Sequence, residues 1–207
     1  MAHPLEQFRY CPKCGSAHFV EHNGKSKECR DCGFVYYFNP SAATVAVILK
    51  SEKSEVKSEK RKESGEMKEE LSLLVVRRGK EPAKGTLDLP GGFSDMFETG
   101  EEGVAREVKE ETGLDVVDTK FLFSLPNQYL YSGFLVHTVD MFFLCQVENC
   151  EECHAMDDAA EIMWVPLQDV HPEDFGLTSI RQGVEKFLAN YFSRQRGRPD
   201  GLDPLLA

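Results

Sequence analysis

Gly92-Phe-Ser-Asp-Met-Phe-Glu98, followed after seven residues by Arg106-Glu107-Val108-Lys109-Glu110-Glu111-Thr112-Gly113-Leu114, is the stretch on which the fold turns. Val104 and Val108 lie one turn apart, so residues 101–111 read as a helix with one apolar stripe. Thr112-Gly113 ends it through a glycine stop. Glu107, Glu110 and Glu111 stand at i, i+3 and i+4, which puts three carboxylates on one helical face. Such crowding repels, and a divalent cation relieves it; hard oxygen ligands suit Mg²⁺ or Mn²⁺. Arg106 is expected to point elsewhere on the helix and pair with Glu98, tying the preceding loop to it, so Glu98 is a structural acid rather than a ligand. Gly91-Gly92 lets backbone come close to metal or phosphate.

Outward from this helix, β-branched apolar runs predict strands at Ala43 to Leu49 and Leu71 to Val76, with further strands at 116–123, 138–147 and 161–165. Thr178 to Phe192 reads as a second helix. Residues 41–191 therefore form one mixed α/β domain. Within it, residues 51–70 hold six basic and seven acidic residues among serines. This composition buries no apolar area and predicts a disordered insertion in a hairpin. Residues 192–207 read as a flexible tail.

The other informative zone is residues 8–38. Cys11-Pro-Lys-Cys14-Gly and Cys29-Arg-Asp-Cys32-Gly form a C-x2-C-x14-C-x2-C array. Two residues between cysteines let both sulfurs of a knuckle reach one ion, and four thiolates suit a closed, structural, tetrahedral Zn²⁺ site. The array reads as a small zinc ribbon, with His18 and His22 as bystanders. Cys150, Cys153 and His154 form a second cluster, read as a loop with incidental thiols. The seven cysteines are an odd number, which speaks for metal binding rather than a disulfide framework.

The net charge of −11 disfavours broad binding to nucleic acid or anionic membrane. No run approaches the ~18 apolar residues of a membrane span, and Met1 to Tyr10 lacks a signal-peptide core. A cytoplasmic location is the default expectation.

From Gly92 to Leu114 the chain resembles the Nudix box, G-x5-E-x7-R-E-U-x-E-E-x-G-U with U apolar, and fills every specified position. The resemblance implies an α/β/α sandwich around a mixed sheet. It implies that Glu107, Glu110 and Glu111, helped by the Gly91 carbonyl, ligate the catalytic metal, so that the protein is a pyrophosphohydrolase. In that family the general base is a box glutamate or a glutamate on a later strand or loop. Glu161, just before Ile162, resembles the later position.

A zinc ribbon followed by a Nudix domain is the order found in NADH pyrophosphatases, whose zinc-ribbon members are dimers, so a homodimer is an open expectation. Their further motif, S-Q-P-W-P-F-P-x-S, falls here on Ser124 to Ser132. Ser124, Pro126 and Ser132 match and Tyr129 keeps an aromatic ring, while Asn127, Gln128 and Leu130 replace the tryptophan and two prolines. The expected substrate is thus a small nucleotide, a nucleoside-diphosphate derivative or dinucleotide, with NADH, NAD, ADP-ribose, FAD and diadenosine polyphosphates as candidates. Tyr129 and Tyr131 could stack on its base or serve only as packing. The alternative is a nucleotide-sensing or partner-binding module; an intact box favours the enzyme.

Overall fold

The computed structural model describes residues 3–55, 67–156 and 159–196. The chain forms two compact units, one of Met1–Ser41 with Gln128–Thr138 and one of Ala42–Asn127 with Val139–Ala207.

The first unit is built on three short antiparallel strands, β1 (Phe19–Asn23), β2 (Ser26–Cys29) and β3 (Val35–Tyr37), in the order β1-β2-β3. Its small core is Cys11, Phe19 and Cys29, flanked by Cys32 and Phe34. Leu5 and the packed rings of Phe8, Tyr36, Phe38 and Phe134 add apolar contacts, but a unit this small gains much of its order from the cysteines.

The second unit carries a sheet in the order β10-β5-β4-β9-β8, with two further short strands against β5 and β4. The strands are β4 (Ser41–Glu55), β5 (Met67–Arg78), β6 (Leu87–Asp88), β7 (Gly91–Phe93), β8 (Val116–Tyr131), β9 (Phe134–Val147) and β10 (Ala159–Pro166); the helices are α1 (Gly100–Thr112) and α2 (Thr178–Arg196). The alternation of side chains along each strand explains the layering. Val45, Val47, Leu73, Val75, Phe142 and Leu144 pack with Ile180, Val184, Phe187 and Leu188 of α2. The interleaved Ala46, Ile48, Leu74, Phe143 and Cys145 pack with Val104 and Val108 of α1. The central strands are buried on both faces, hence their continuous apolar runs, and the result is the α/β/α sandwich around a mixed sheet.

Two boundaries differ from expectation. Ser51 and Glu70 are not the edges of an unstructured insertion. β4 and β5 stay paired through Lys53↔Glu69 to Glu55↔Met67, because a backbone ladder fixed by the buried Leu49↔Leu73 region continues outward without needing apolar side chains. The centre of the insertion, 56–66, lies outside the described residues. At the other end, 192–196 are helical rather than tail. Phe192 is half-buried on the core beside Tyr191, their rings 5.2 Å apart, and this packing extends α2 by a turn. The rest of the expected tail, 197–207, is outside the described residues. Among the described residues, no helix is long and apolar enough to cross a membrane.

Candidate functional site

Helix α1 is placed by its caps and its apolar stripe. Thr99 Oγ1 accepts the Glu102 N–H at 3.2 Å and the Glu102 carboxylate accepts the Thr99 N–H at 2.8 Å, a reciprocal capping box. Gly113 closes the other end at φ 74°, donating to Lys109 O. With Val104 and Val108 fully buried against the sheet, the helix cannot rotate. Glu107 and Glu111 are therefore held half-buried, and Glu110 is exposed.

The glycine strand β7 runs beside this carboxylate row. Gly91 N–H donates to Glu111 Oε2 at 3.2 Å. A Cβ on Gly92 would stand 2.6 Å from the Glu107 carboxylate, and one on Gly91 would stand 2.1 Å from Thr44 O. Gly91 thus excludes any side chain, and one at Gly92 would displace the Glu107 carboxylate. Gly91 and Gly92 pair with Val45 and Thr44 of β4, so the rigid centre of the sheet sets the position of this strand.

Arg106 is not turned away from the glutamates, as the helix spacing suggested. It takes the Glu98 carboxylate with two nitrogens, Nε at 3.1 Å and Nη2 at 2.8 Å. Nη1 also donates to Glu107 at 2.8 Å and to Glu110 at 3.0 Å, and Nη2 to the Phe93 carbonyl at 3.0 Å. A long, forked guanidinium reaches both the preceding loop and the next turn of its own helix. It supplies positive charge where the sequence reading had assigned that task to a cation alone. Arg106 holds Glu98 at about 2, well below the usual carboxylate range. Burial pushes Glu107 up; Arg106 opposes that shift and the Glu110 charge adds to it.

The sign for Glu98 is definite. Its carboxylate stabilises the fold fully above the ordinary value near 4.5, and this contribution is lost as pH falls towards 2. Glu98→Gln is expected to flatten the fall of Tm between pH 5 and pH 2.5 relative to wild type. An unchanged slope would show that the ion pair contributes nothing.

Glu161 lies on β10, where Ile162 and Trp164 face α1 while Met163 and Val165 face α2. Its exposed carboxylate is paired with Arg77 Nε at 3.0 Å, and Arg77 also donates to Gly85 O. Tyr129 (half-buried) and Tyr131 (exposed) are at the end of β8, in the first unit.

An acid that the sequence reading passed over fixes the start of the glycine loop. Asp88 is buried, accepts the Leu89 N–H at 2.8 Å and binds Arg78 Nη1 at 2.5 Å. Burial raises its carboxyl, against the pull of Arg78. The available signal was an acid set between two leucines, Leu87 and Leu89, directly before Pro90-Gly91.

In the first unit the four cysteines converge. All their sulfurs lie within 4.8 Å of one another, with Cys11–Cys32 at 3.8 Å and Cys14–Cys29 at 3.6 Å. The two knuckles match: Gly15 and Gly33 adopt φ 74° and 70°, and their N–H groups return to Cys11 O and Cys29 O at 2.8 and 2.9 Å. Burial opposes ionisation of Cys29, yet backbone N–H groups of Cys32 and Asp31 outweigh it and bring the thiol down to about 6. Four thiols this close suit a single tetrahedral divalent ion. His18 binds Asp31 at 3.0 Å and His22 lies 3.5 Å from Glu28, so both histidines are engaged elsewhere. Among the described residues, these cysteines are the only His, Cys, Asp or Glu side chains gathered so tightly, and Cys150, Cys153 and His154 form no such group. Glu107, Glu110 and Glu111 are spaced more widely, two held by Arg106 and one by the Gly91 amide.

An α/β/α sandwich whose first helix lays a row of carboxylates along a Gly-Gly strand is a fold of the Nudix class. The chain belongs to that family: the NUDIX domain model matches residues 61–190. Among curated proteins it is 24% identical over 188 residues to the NAD-capped RNA hydrolase NudC of Vibrio vulnificus, covering 91% of this chain and 62% of that protein. It is 34% identical over 135 residues to the ADP-ribose pyrophosphatase of Methanocaldococcus jannaschii, covering 64% of this chain and 73% of that one. The chain thus spans a little under two thirds of the NudC relative's length. Among solved structures, a NUDIX hydrolase from Nitrosomonas europaea superposes with a TM-score of 0.63 over 92% of this chain and 94% of that one, at 18% identity.

Proposed function

We propose that this protein hydrolyses the pyrophosphate link of a nucleoside-diphosphate derivative or dinucleotide. The observation that carries the reading is the oxygen-rich corner formed by Glu107, Glu111 and the side-chain-free Gly91-Gly92 backbone. Glu107, Glu110, Glu111 and the Gly91 carbonyl are the donors assigned to Mg²⁺ or Mn²⁺, since hard oxygen donors match those ions. A bound divalent ion supplies charge to the diphosphate oxygens and makes water a better nucleophile. Arg106 keeps Glu107 and Glu110 in place and locks the Glu98 loop to the helix. Glycines 91 and 92 leave room for a phosphate to approach backbone. For the general base the reading names a box glutamate first and Glu161 second. A fall in kcat for Glu161→Gln with metal affinity intact would move the base to β10.

The four cysteines are assigned to a structural Zn²⁺. A cytoplasmic setting accords with seven cysteines outside any disulfide. The substrate assignment draws support from relatives named for ADP-ribose and for NAD-capped RNA. A panel of ADP-ribose, NADH, NAD, FAD, diadenosine polyphosphates and NAD-capped RNA, run with Mn²⁺ in labelled water and read by product mass, tests it. Cleavage between the two phosphorus atoms of at least one compound is expected. Nucleotide binding without turnover across the whole panel would replace the enzyme by a sensing module.

A further inference from the structure

The loop from Phe93 to Glu98 exposes three apolar side chains: Phe93 is 47% exposed, Met96 86%, and Phe97 completely. Phe97 also holds φ 71°. That left-handed conformation strains a bulky L-residue, whereas glycine adopts it freely. The fold therefore gives this ring neither burial nor a relaxed backbone. Strain of this kind clusters where a side chain serves a ligand.

Both ends of the loop are tied to the carboxylate cluster. The Phe93 carbonyl accepts from Arg106 at 3.0 Å, and Glu98, the neighbour of Phe97, takes two bonds from the same guanidinium. Glu98 also accepts the Asp95 N–H at 2.5 Å, which clamps the turn between them. The apolar tip is thus tied through Arg106 to the glutamates assigned to the divalent ion.

Building on the function proposed above, we infer that Phe97, with Met96 beside it, is the contact for a flat heterocycle carried on the substrate's diphosphate. A ring offers its face to any base or nicotinamide without demanding a particular hydrogen-bond pattern.

The test is Phe97→Gly, because it removes the ring while relaxing the backbone. Its Tm is expected to rise, which separates loss of binding from loss of fold. Binding is measured calorimetrically with Mg²⁺ and two probes that resist hydrolysis: α,β-methylene ADP-ribose, and ringless methylenediphosphonate. The variant should bind the first about tenfold more weakly and the second as wild type does; Phe97→Tyr should bind both normally. Equal loss of both probes would mean that Phe97 shapes the carboxylate site, and unchanged binding of both would mean that it touches no ligand; either overturns the inference. Wild-type protein that binds neither probe and cleaves nothing in the panel would overturn the hydrolase reading, and this inference with it.

Discussion

Glu111→Gln is expected to lower turnover by roughly 10³-fold with Tm little changed. Glutamine keeps the size of the side chain and an oxygen that can accept the Gly91 N–H, so the 3.2 Å contact that joins α1 to β7 survives. What disappears is the negative charge, and with it a strong donor to a divalent ion. Glu111 is the box glutamate in contact with the glycine backbone, while Glu107 and Glu110 both receive Arg106. The measurement is kcat together with Mn²⁺ affinity in the substrate panel. Near-normal turnover would remove Glu111 from the reacting centre and leave the Nudix fold intact.

Cys29→Ser is expected to release the ion from the first unit and unfold that unit. Structural zinc contributes roughly 10–16 kcal/mol to small modules of this type, and the buried cluster around the cysteines is small, Cys11, Phe19 and Cys29 with two flanking side chains. Cys29 also contributes directly to packing, being fully buried, so serine loses both a thiolate and a core side chain. Metal analysis should fall from one zinc per chain to none, and the exchange protection of β1 to β3 amides should vanish. The strands of the second unit should keep their protection, since their apolar clusters contain none of these cysteines. Zinc absent from the wild-type protein would refute the ribbon reading directly.

Much of this was legible in local spacing. A helix repeats every 3.6 residues, so Val104 and Val108 defined the buried stripe, and Glu107, Glu110 and Glu111 the carboxylate row, before any coordinates. Gly113 marked the helix end, and it stands there in the left-handed conformation expected. The cysteine array was equally local: two knuckles of identical spacing fold into identical turns, which then meet.

What stayed hidden depends on contacts between residues far apart in sequence, or on competition between partners. Composition could not tell that β4 and β5 extend past Leu49 and Leu71, since register comes from the core and the ladder only propagates it. Nor could it pair Glu161 with Arg77, 84 residues earlier, because that needs β10 and β5 to be neighbours. Of the three glutamates that Arg106 reaches, Glu98 was the expected partner and Glu110 lies at the helical i, i+4 spacing; the bond to Glu107 was not foreseen.

The amino-acid order alone therefore specified which donors exist and how helix and knuckle space them, because those distances are fixed within a turn or two of chain. Only the packed molecule decided the pairs Arg77–Glu161 and Arg78–Asp88 and where Phe97 stands. Both are settled by sheet register and loop closure, which bring together groups that the chain keeps apart.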